Sequence, residues 1–289
     1  YFNENLEQYS KKLRIIKAEI SLDKFGLTDL LYNELSKTVD LVINSAAKVQ
    51  HFGEWKDFER SNIGIIKNAK DFCNSLSQKK LIQISTASVS SGRKDSIFSE
   101  ESKNFNPDIV NNLYIKSKII AEQELLEDEN LTNWEIIRVG NICFDSNNGI
   151  FQNNWKENAF LSRLLVLVRS NNIPSGFINN EYSFVNNIAK AVLKLSMLEG
   201  KQQIYHVWNN NNEIFDKAVQ LAPELKLVSP KEFLEFLKTK ILNKQTDDIK
   251  ELLVHLNLDD LLDSHNQKQS FNLYTEKVLN KLDFKWDKM

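Results

Sequence analysis

With 289 residues, of which 42% are hydrophobic, the chain is long enough for one large α/β domain with a substantial insertion or for two small domains. A formal net charge of −2 and the lack of any basic cluster argue against a nucleic-acid partner. There is no apolar run of about eighteen residues and no signal-peptide pattern, so the sequence predicts a cytoplasmic protein that does not span a membrane.

Residues 1–12 are polar and read as the end of a helix, and Leu13–Ile20 is a strand candidate. Leu27–Lys37 reads as a helix with Thr28 as its N-cap. Val39–Ala47 is then a strand ending in small residues, Ala46 and Ala47. Small side chains there would let a flat cofactor approach the backbone, but they would equally suit a tight turn, and spacing alone does not choose. From Trp55 to about Ser77, Phe58, Asn62, Ile65, Ala69, Phe72 and Leu76 recur at three- and four-residue steps, as on an amphipathic helix. Asn62 breaks that stripe and reads as a satisfied core amide, with a place in a proton relay as the alternative.

Leu81-Ile82-Gln83-Ile84 reads as a buried parallel strand that stops at Ser85-Thr86. Ligands of α/β sheets sit outside the carboxyl ends of the strands, which places Thr86 where a substrate would lie. Ser90–Asn112 is a long polar loop containing Pro107, and long loops in compact domains are commonly functional. Tyr114 and Lys118 follow at i and i+4 on one face of a helix continuing through Ala121 and Leu125. An ammonium beside a phenol is expected to lower the tyrosine's pKa and make it a usable proton donor or acceptor. Alone, Tyr-x-x-x-Lys is weak, since an aromatic and a lysine often share a helix face. It gains weight here from the hydroxyl-ended strand before it and the strand Trp134–Asn141 after it.

Asp145–Glu157 is polar with a turn at Ser146–Gly149, and Phe160–Val168 reads as a helix stopping near Ser170, before a turn at Pro174–Gly176. Asn187–Leu198 is a further helix and Gln203–Val207 a returning strand. After the asparagine run at Asn209, residues 213–289 are mostly helical and polar, most clearly at Lys231–Leu242 and Ser270–Leu282. Cys73 and Cys143 suit reduced, packed thiols, and His51, His206, His255 and His265 are too scattered to predict a metal site.

Seven stretches together resemble one family: VDLVINSAAKVQHFG at 39–53, the Asn62 helix at 59–73, LIQISTASV at 81–89, YIKSK at 114–118, IIRVGNI at 136–142, FVNNIAKAV at 184–192 and LDFKW at 282–286. They are similar to the thioester-reductase domains that terminate nonribosomal peptide synthetases and carboxylic acid reductases, within the extended short-chain dehydrogenase/reductase superfamily. The resemblance implies an α/β, Rossmann-like, doubly wound parallel sheet with a smaller, mostly helical C-terminal substrate region. Residues 1–150 would form the dinucleotide-binding part, residues 182–207 would return to it, and residues 151–181 with 208–289 would form the substrate or lid region. The terminal Phe284-Lys285-Trp286 would dock back on the sheet.

The implied activity is NADPH-dependent release of an acyl or peptidyl thioester, held on the phosphopantetheine arm of a carrier protein, as an aldehyde or alcohol. Thr86 and Tyr114 would donate to the carbonyl oxygen. Lys118 would hold the nicotinamide ribose and tune Tyr114, and Ala46, Ala47, Gly140 and Asn141 would lie along the cofactor. The chain departs from the family at its start. None of its eight glycines forms the Gly-x-x-Gly-x-x-Gly turn that seats a pyrophosphate on a helix N-terminus, and the chain opens with Tyr1, so the sequence predicts a fragment that binds NADPH weakly alone. Ala18-Glu19 and Asn186 also differ from the family pattern. The competing readings are an extended reductase, epimerase or dehydratase acting on a free small molecule or sugar nucleotide, and a non-catalytic protein that kept the fold.

Overall fold

The structure, a computed structural model, describes residues 6–50, 53–76, 78–93, 95, 97–154, 158–174, 182–200, 202–210, 224–245 and 269–288. Its centre is a parallel sheet in the order β1 (Leu41–Asn44), β2 (Lys80–Thr86), β4 (Trp134–Val139), β8 (Gln203–Val207). Every residue of β4 is buried, as expected of a strand covered on both faces. The pleat divides the apolar side chains between the two sides. Leu81, Ile136 and Ile204 pack against Ile66, Ala69 and Cys73 of helix α3 (Ile65–Asn74) and Ala121 and Leu125 of helix α4 (Leu113–Leu126). Ile82, Ile137 and Tyr205 pack on the other side against Ile188, Ala191 and Leu195 of helix α6 (Val185–Ser196). Helices on both faces of a parallel sheet make the fold the expected doubly wound α/β type.

Helix α1 (Asp29–Thr38) starts where the sequence places it, with the Thr28 side chain accepting from Leu31 N. Helix α2 (Trp55–Phe58) reaches α3 through a π-helical turn, Glu59–Gly64, which carries Asn62. That interruption is absent from the sequence reading, which takes the stretch as one regular helix. Helix α5 (Ala159–Ser170) leads into a short parallel pair of β6 (Asn172–Pro174) with β9 (Lys226–Val228), after which α7 (Pro230–Leu242) begins in a Ser229/Glu232 capping box. Strand β5 (Asn141–Cys143) pairs with β7 (Tyr182–Phe184), and β3 (Ile97–Phe98) with β10 (Gln269–Ser270), ahead of α8 (Leu273–Lys281). No described helix is long and apolar enough to cross a membrane.

One expected element does not form. Leu13–Ile20 lacks regular structure, and Ile15 is 96% exposed. Its end is held by a side chain instead of a sheet edge: Asn68 Nδ2 donates to the carbonyls of Ile20 at 3.0 Å and Leu22 at 2.8 Å. The backbone then doubles back through Lys24 and Phe25, both at positive φ, so it cannot continue as a strand. The expected docking of the C-terminus does form: Phe284 is buried in the α6 face, and Asp287 accepts from Asn187 Nδ2 at 2.9 Å. The turn expected at Ser175–Gly176, His51, His255 and His265, and much of the region 208–289 lie outside the described residues.

Candidate active site

The two hydroxyls singled out by the sequence meet at the carboxyl end of the sheet. Thr86 closes β2, where its Oγ1 accepts from Ser88 N at 3.2 Å, and Tyr114 stands in the first turn of α4, whose N-cap Asn112 accepts from Ile115 N at 3.2 Å. The Tyr114 phenol is hydrogen-bonded to Thr86. One turn further on, Lys118 is 5% exposed and its Nζ donates to the carbonyl of Ile84 at 2.9 Å, a carbonyl that also accepts from Gln83 Nε2 at 3.0 Å.

This geometry reverses the expected direction of one pKa. Burial pushes the Tyr114 phenol up to about 12, although the residue as a whole is only half-buried, and the hydrogen bond with Thr86 works against the rise. The Lys118 ammonium is turned onto the Ile84 carbonyl. Burial brings Lys118 itself down to about 8, with Glu122 opposing the fall. Tyr114 at neutral pH is therefore a neutral phenol with a proton to donate.

Asn62 is fully bonded. Its Oδ1 accepts from Lys48 N at 2.7 Å, and its Nδ2 donates to Lys48 O at 3.1 Å and to Ser117 Oγ at 2.7 Å. Ser117 in turn donates to the Tyr114 carbonyl at 2.7 Å. The π turn thus ties the loop after β1 to the turn of α4 that carries the phenol. Π-helical turns recur at functional sites because they move one side chain out of helical register. A second fixture is the loop after β2, pressed onto α4 at Gly92, where a Cβ would lie 2.6 Å from Ile119 Cδ1.

Behind the hydroxyls lies a buried polar chain that the sequence reading did not contain. Glu122 accepts from Ser85 Oγ at 2.5 Å and from Arg138 Nη2 at 2.6 Å. Arg138 also donates to Ser102 O at 2.9 Å and lies over the rings of Phe105 and Phe98, at 4.9 and 5.3 Å. Its Nη1 is 3.2 Å from His206 Nε2, while His206 Nδ1 is 2.7 Å from the carbonyl of Phe271. A carbonyl can only accept, so Nδ1 is assigned the proton and Nε2 the lone pair. Burial and the Arg138 charge bring His206 down to about 3, which keeps it neutral. The signal available in the sequence was Glu122 four residues after Lys118, on the same helix stripe.

The residues expected along a cofactor occupy the same edge. Ala46 and Ala47 follow β1, Gly140 and Asn141 follow β4, all half-buried, and β2 with Thr86 lies between those strands. The small residues and the buried ammonium fit the nicotinamide end of a dinucleotide, whereas no glycine-rich phosphate turn lies within these 289 residues. Among the described residues no group of three His, Cys, Asp or Glu could hold a metal ion.

A doubly wound sheet with a hydroxyl-ended strand and a Tyr-x-x-x-Lys helix defines an extended short-chain dehydrogenase/reductase. Residues 1–192 match the NAD-binding family described as Male sterility protein, and the chain belongs to that family. Its fold is that of terminal reductase domains. It is similar to a thiolation-reductase di-domain from an archaeal nonribosomal peptide synthetase, with TM-score 0.80 and 24% identity over 100% of this chain and 61% of that one. It is also similar to the terminal R domain of the myxalamid PKS-NRPS pathway, with TM-score 0.81 and 18% identity over 98% of this chain and 73% of that one. Among curated proteins, probable polyketide synthase 6 of Dictyostelium discoideum is 25% identical over 98% of this chain, which spans 10% of that synthase.

Proposed function

We propose that the chain is the catalytic part of an NADPH-dependent reductase that releases an acyl or peptidyl thioester from a carrier protein as an aldehyde. The observation that carries this reading is the hydrogen-bonded pair Thr86 and Tyr114 at the carboxyl end of the sheet, with Lys118 one turn along the same helix face. Lys118, Ala46, Ala47, Gly140 and Asn141 would hold the nicotinamide half of the cofactor. When bound, that group supplies a hydride.

The side chains do the rest. A thioester oxygen accepting from both Thr86 and Tyr114 becomes an oxyanion as the carbonyl carbon is reduced, and two preplaced donors stabilise the charge where it develops. Tyr114, neutral at working pH, gives up its proton to that oxygen. Lys118, with a carbonyl already on its ammonium, offsets the negative charge left on the phenolate. Collapse of the tetrahedral adduct expels the pantetheine thiol and leaves the aldehyde.

The carrier protein enters through the relatives, one of which is a thiolation-reductase di-domain. The C-terminal region from about Asn212 to Met289, with the stretch from Asp145 to Glu157, is the part of the chain that would receive the phosphopantetheine arm. The test is NADPH consumption by the full-length protein, with one acyl group offered on a carrier protein, on pantetheine and on coenzyme A. Remote binding energy used for positioning gives the carrier-bound substrate a much higher kcat/KM. Equal efficiency on all three would shift the reading to a reductase of free small molecules.

A further inference from the structure

Tyr114, Lys118 and Glu122 follow one another at four-residue steps and share one face of α4. Two of the three grip the end of β2 at adjacent residues: Lys118 on the carbonyl of Ile84 at 2.9 Å, Glu122 on the hydroxyl of Ser85 at 2.5 Å. The next residue is Thr86. The register of α4 on β2, and with it the meeting of Thr86 and Tyr114, is therefore held by two side-chain ties placed just before the reacting hydroxyl. Glu122 is itself clamped by Arg138 of β4 through both carboxylate oxygens, and both side chains are fully buried.

We propose that Glu122 is a positioning residue of the reductase site, fixing Tyr114 and Lys118 against the end of β2 and serving as the buried counter-charge of Lys118. The proposal rests on the role given to Lys118 above. Stability does not account for the arrangement, because a buried ion pair is often no better than apolar residues of the same volume. The charged and titratable groups around Lys118 leave the task to Glu122. On α4 itself Tyr114 is neutral, on β4 Arg138 carries the wrong sign, and on β8 His206 is neutral. Glu122 is the anion that acts on Lys118 to raise its pKa. Arg138 holds that carboxylate stationary through both of its oxygens.

The test titrates Lys118 directly, in protein carrying carbon-13 at the lysine ε position, with Lys118→Arg identifying its resonance. The unaltered protein should show a midpoint at about 8. Glu122→Gln preserves the size of the side chain and its bond with Ser85 but removes the charge, and should lower the midpoint by at least about half a pH unit. Should that variant fail to fold because Arg138 is left unpaired, Glu122→Gln combined with Arg138→Met removes both charges and predicts the same shift. An unchanged midpoint in either folded variant overturns the proposal, and failure of both to fold assigns the pair to stability alone and overturns it too. In the full-length protein, the alkaline limb of the kcat profile should move with the Lys118 midpoint, which a purely structural role would leave in place. A shifted midpoint in a protein with no thioester reduction under any condition would remove the functional reading, and with it the part Glu122 plays in a reductase site, while leaving Glu122 as the counter-charge of Lys118.

Discussion

Strand β4 carries two buried ion pairs, three residues apart, and they are built differently. Near its amino end Glu135 faces Lys80 at 2.6 Å, with no well-directed hydrogen bond to either carboxylate oxygen, and burial pushes Glu135 upward while Lys80 opposes. Lys80 spends its other contacts on the carbonyls of Ser196 and Leu198 at 3.1 and 2.8 Å, closing the end of α6. Near the carboxyl end Arg138 and Glu122 are bonded on every side, and their partners reach Ser85, beside Thr86. The first pair ends at carbonyls at the end of α6 and the second beside Thr86, one of the hydroxyls proposed to act on the substrate. In an open α/β sheet, ligands bind outside the carboxyl ends of the strands, so the denser polar network lies where geometry must be held.

That contrast can be broken experimentally at either end. The largest expected effect is at the carboxyl end: Tyr114→Phe in the full-length protein should lower kcat by roughly 10²- to 10⁴-fold, the range for a lost general acid. Its thermal midpoint and NADPH affinity should hardly change, because the hydroxyl is proposed to act on the substrate oxygen. A variant keeping more than about a tenth of the rate would take the proton donor away from Tyr114. Next comes the amino end. Lys80→Met should cost about 3 kcal/mol of stability in denaturant unfolding by leaving Glu135 buried and unpaired, while kcat of the folded enzyme stays close to its starting value. A loss of kcat there as deep as at Tyr114 would erase the distinction between the two ends.

The two regions also differ in how far they could be read from the sequence. Apolar runs and caps placed β2, β4, β8, α4 and α6 within a few residues, and the Thr28 cap was correct because a cap is a local hydrogen bond. The meeting of Thr86 with Tyr114 was legible as well, since a hydroxyl-ended strand and an i, i+4 pair have few ways to combine in an α/β sheet. What was not legible depends on where side-chain tips go. Spacing puts Lys118 near Tyr114 but cannot say that its ammonium turns to the Ile84 carbonyl, nor that burial raises the pKa of the phenol instead of lowering it. The Glu122 to Arg138 pair joins a helix to a strand, with no periodicity to announce it. Leu13–Ile20 failed for another reason: a short apolar run has strand character only if an edge accepts it, and here Asn68 took the backbone first.

The smallest expected effect sharpens the comparison from the far side of the network, at His206. Its pKa is depressed from 6.5 to about 3 by burial first and by Arg138 second, with the Phe271 carbonyl opposing. Between those values the unfolded chain binds a proton that the native protein does not, so the neutral ring stabilises fully above 6.5, and this contribution is lost as pH falls toward 3. Carboxylates with lowered pKa, such as Asp128 and Asp287, also lose stability in acid, so the slope of the native protein alone does not isolate the histidine. His206→Phe keeps the ring between Phe98 and Trp208, at centroid distances of 4.4 and 4.8 Å, and removes the titrating nitrogens. At neutral pH it should cost about 1 kcal/mol through the bonds lost to Phe271 and Arg138. Below 6.5 the gap between variant and parent should close, because only the parent continues to lose the His206 contribution. Parallel stability curves for the two proteins across that range would mean that His206 is already charged when folded, and that the Arg138 guanidinium is held by Glu122 without its help.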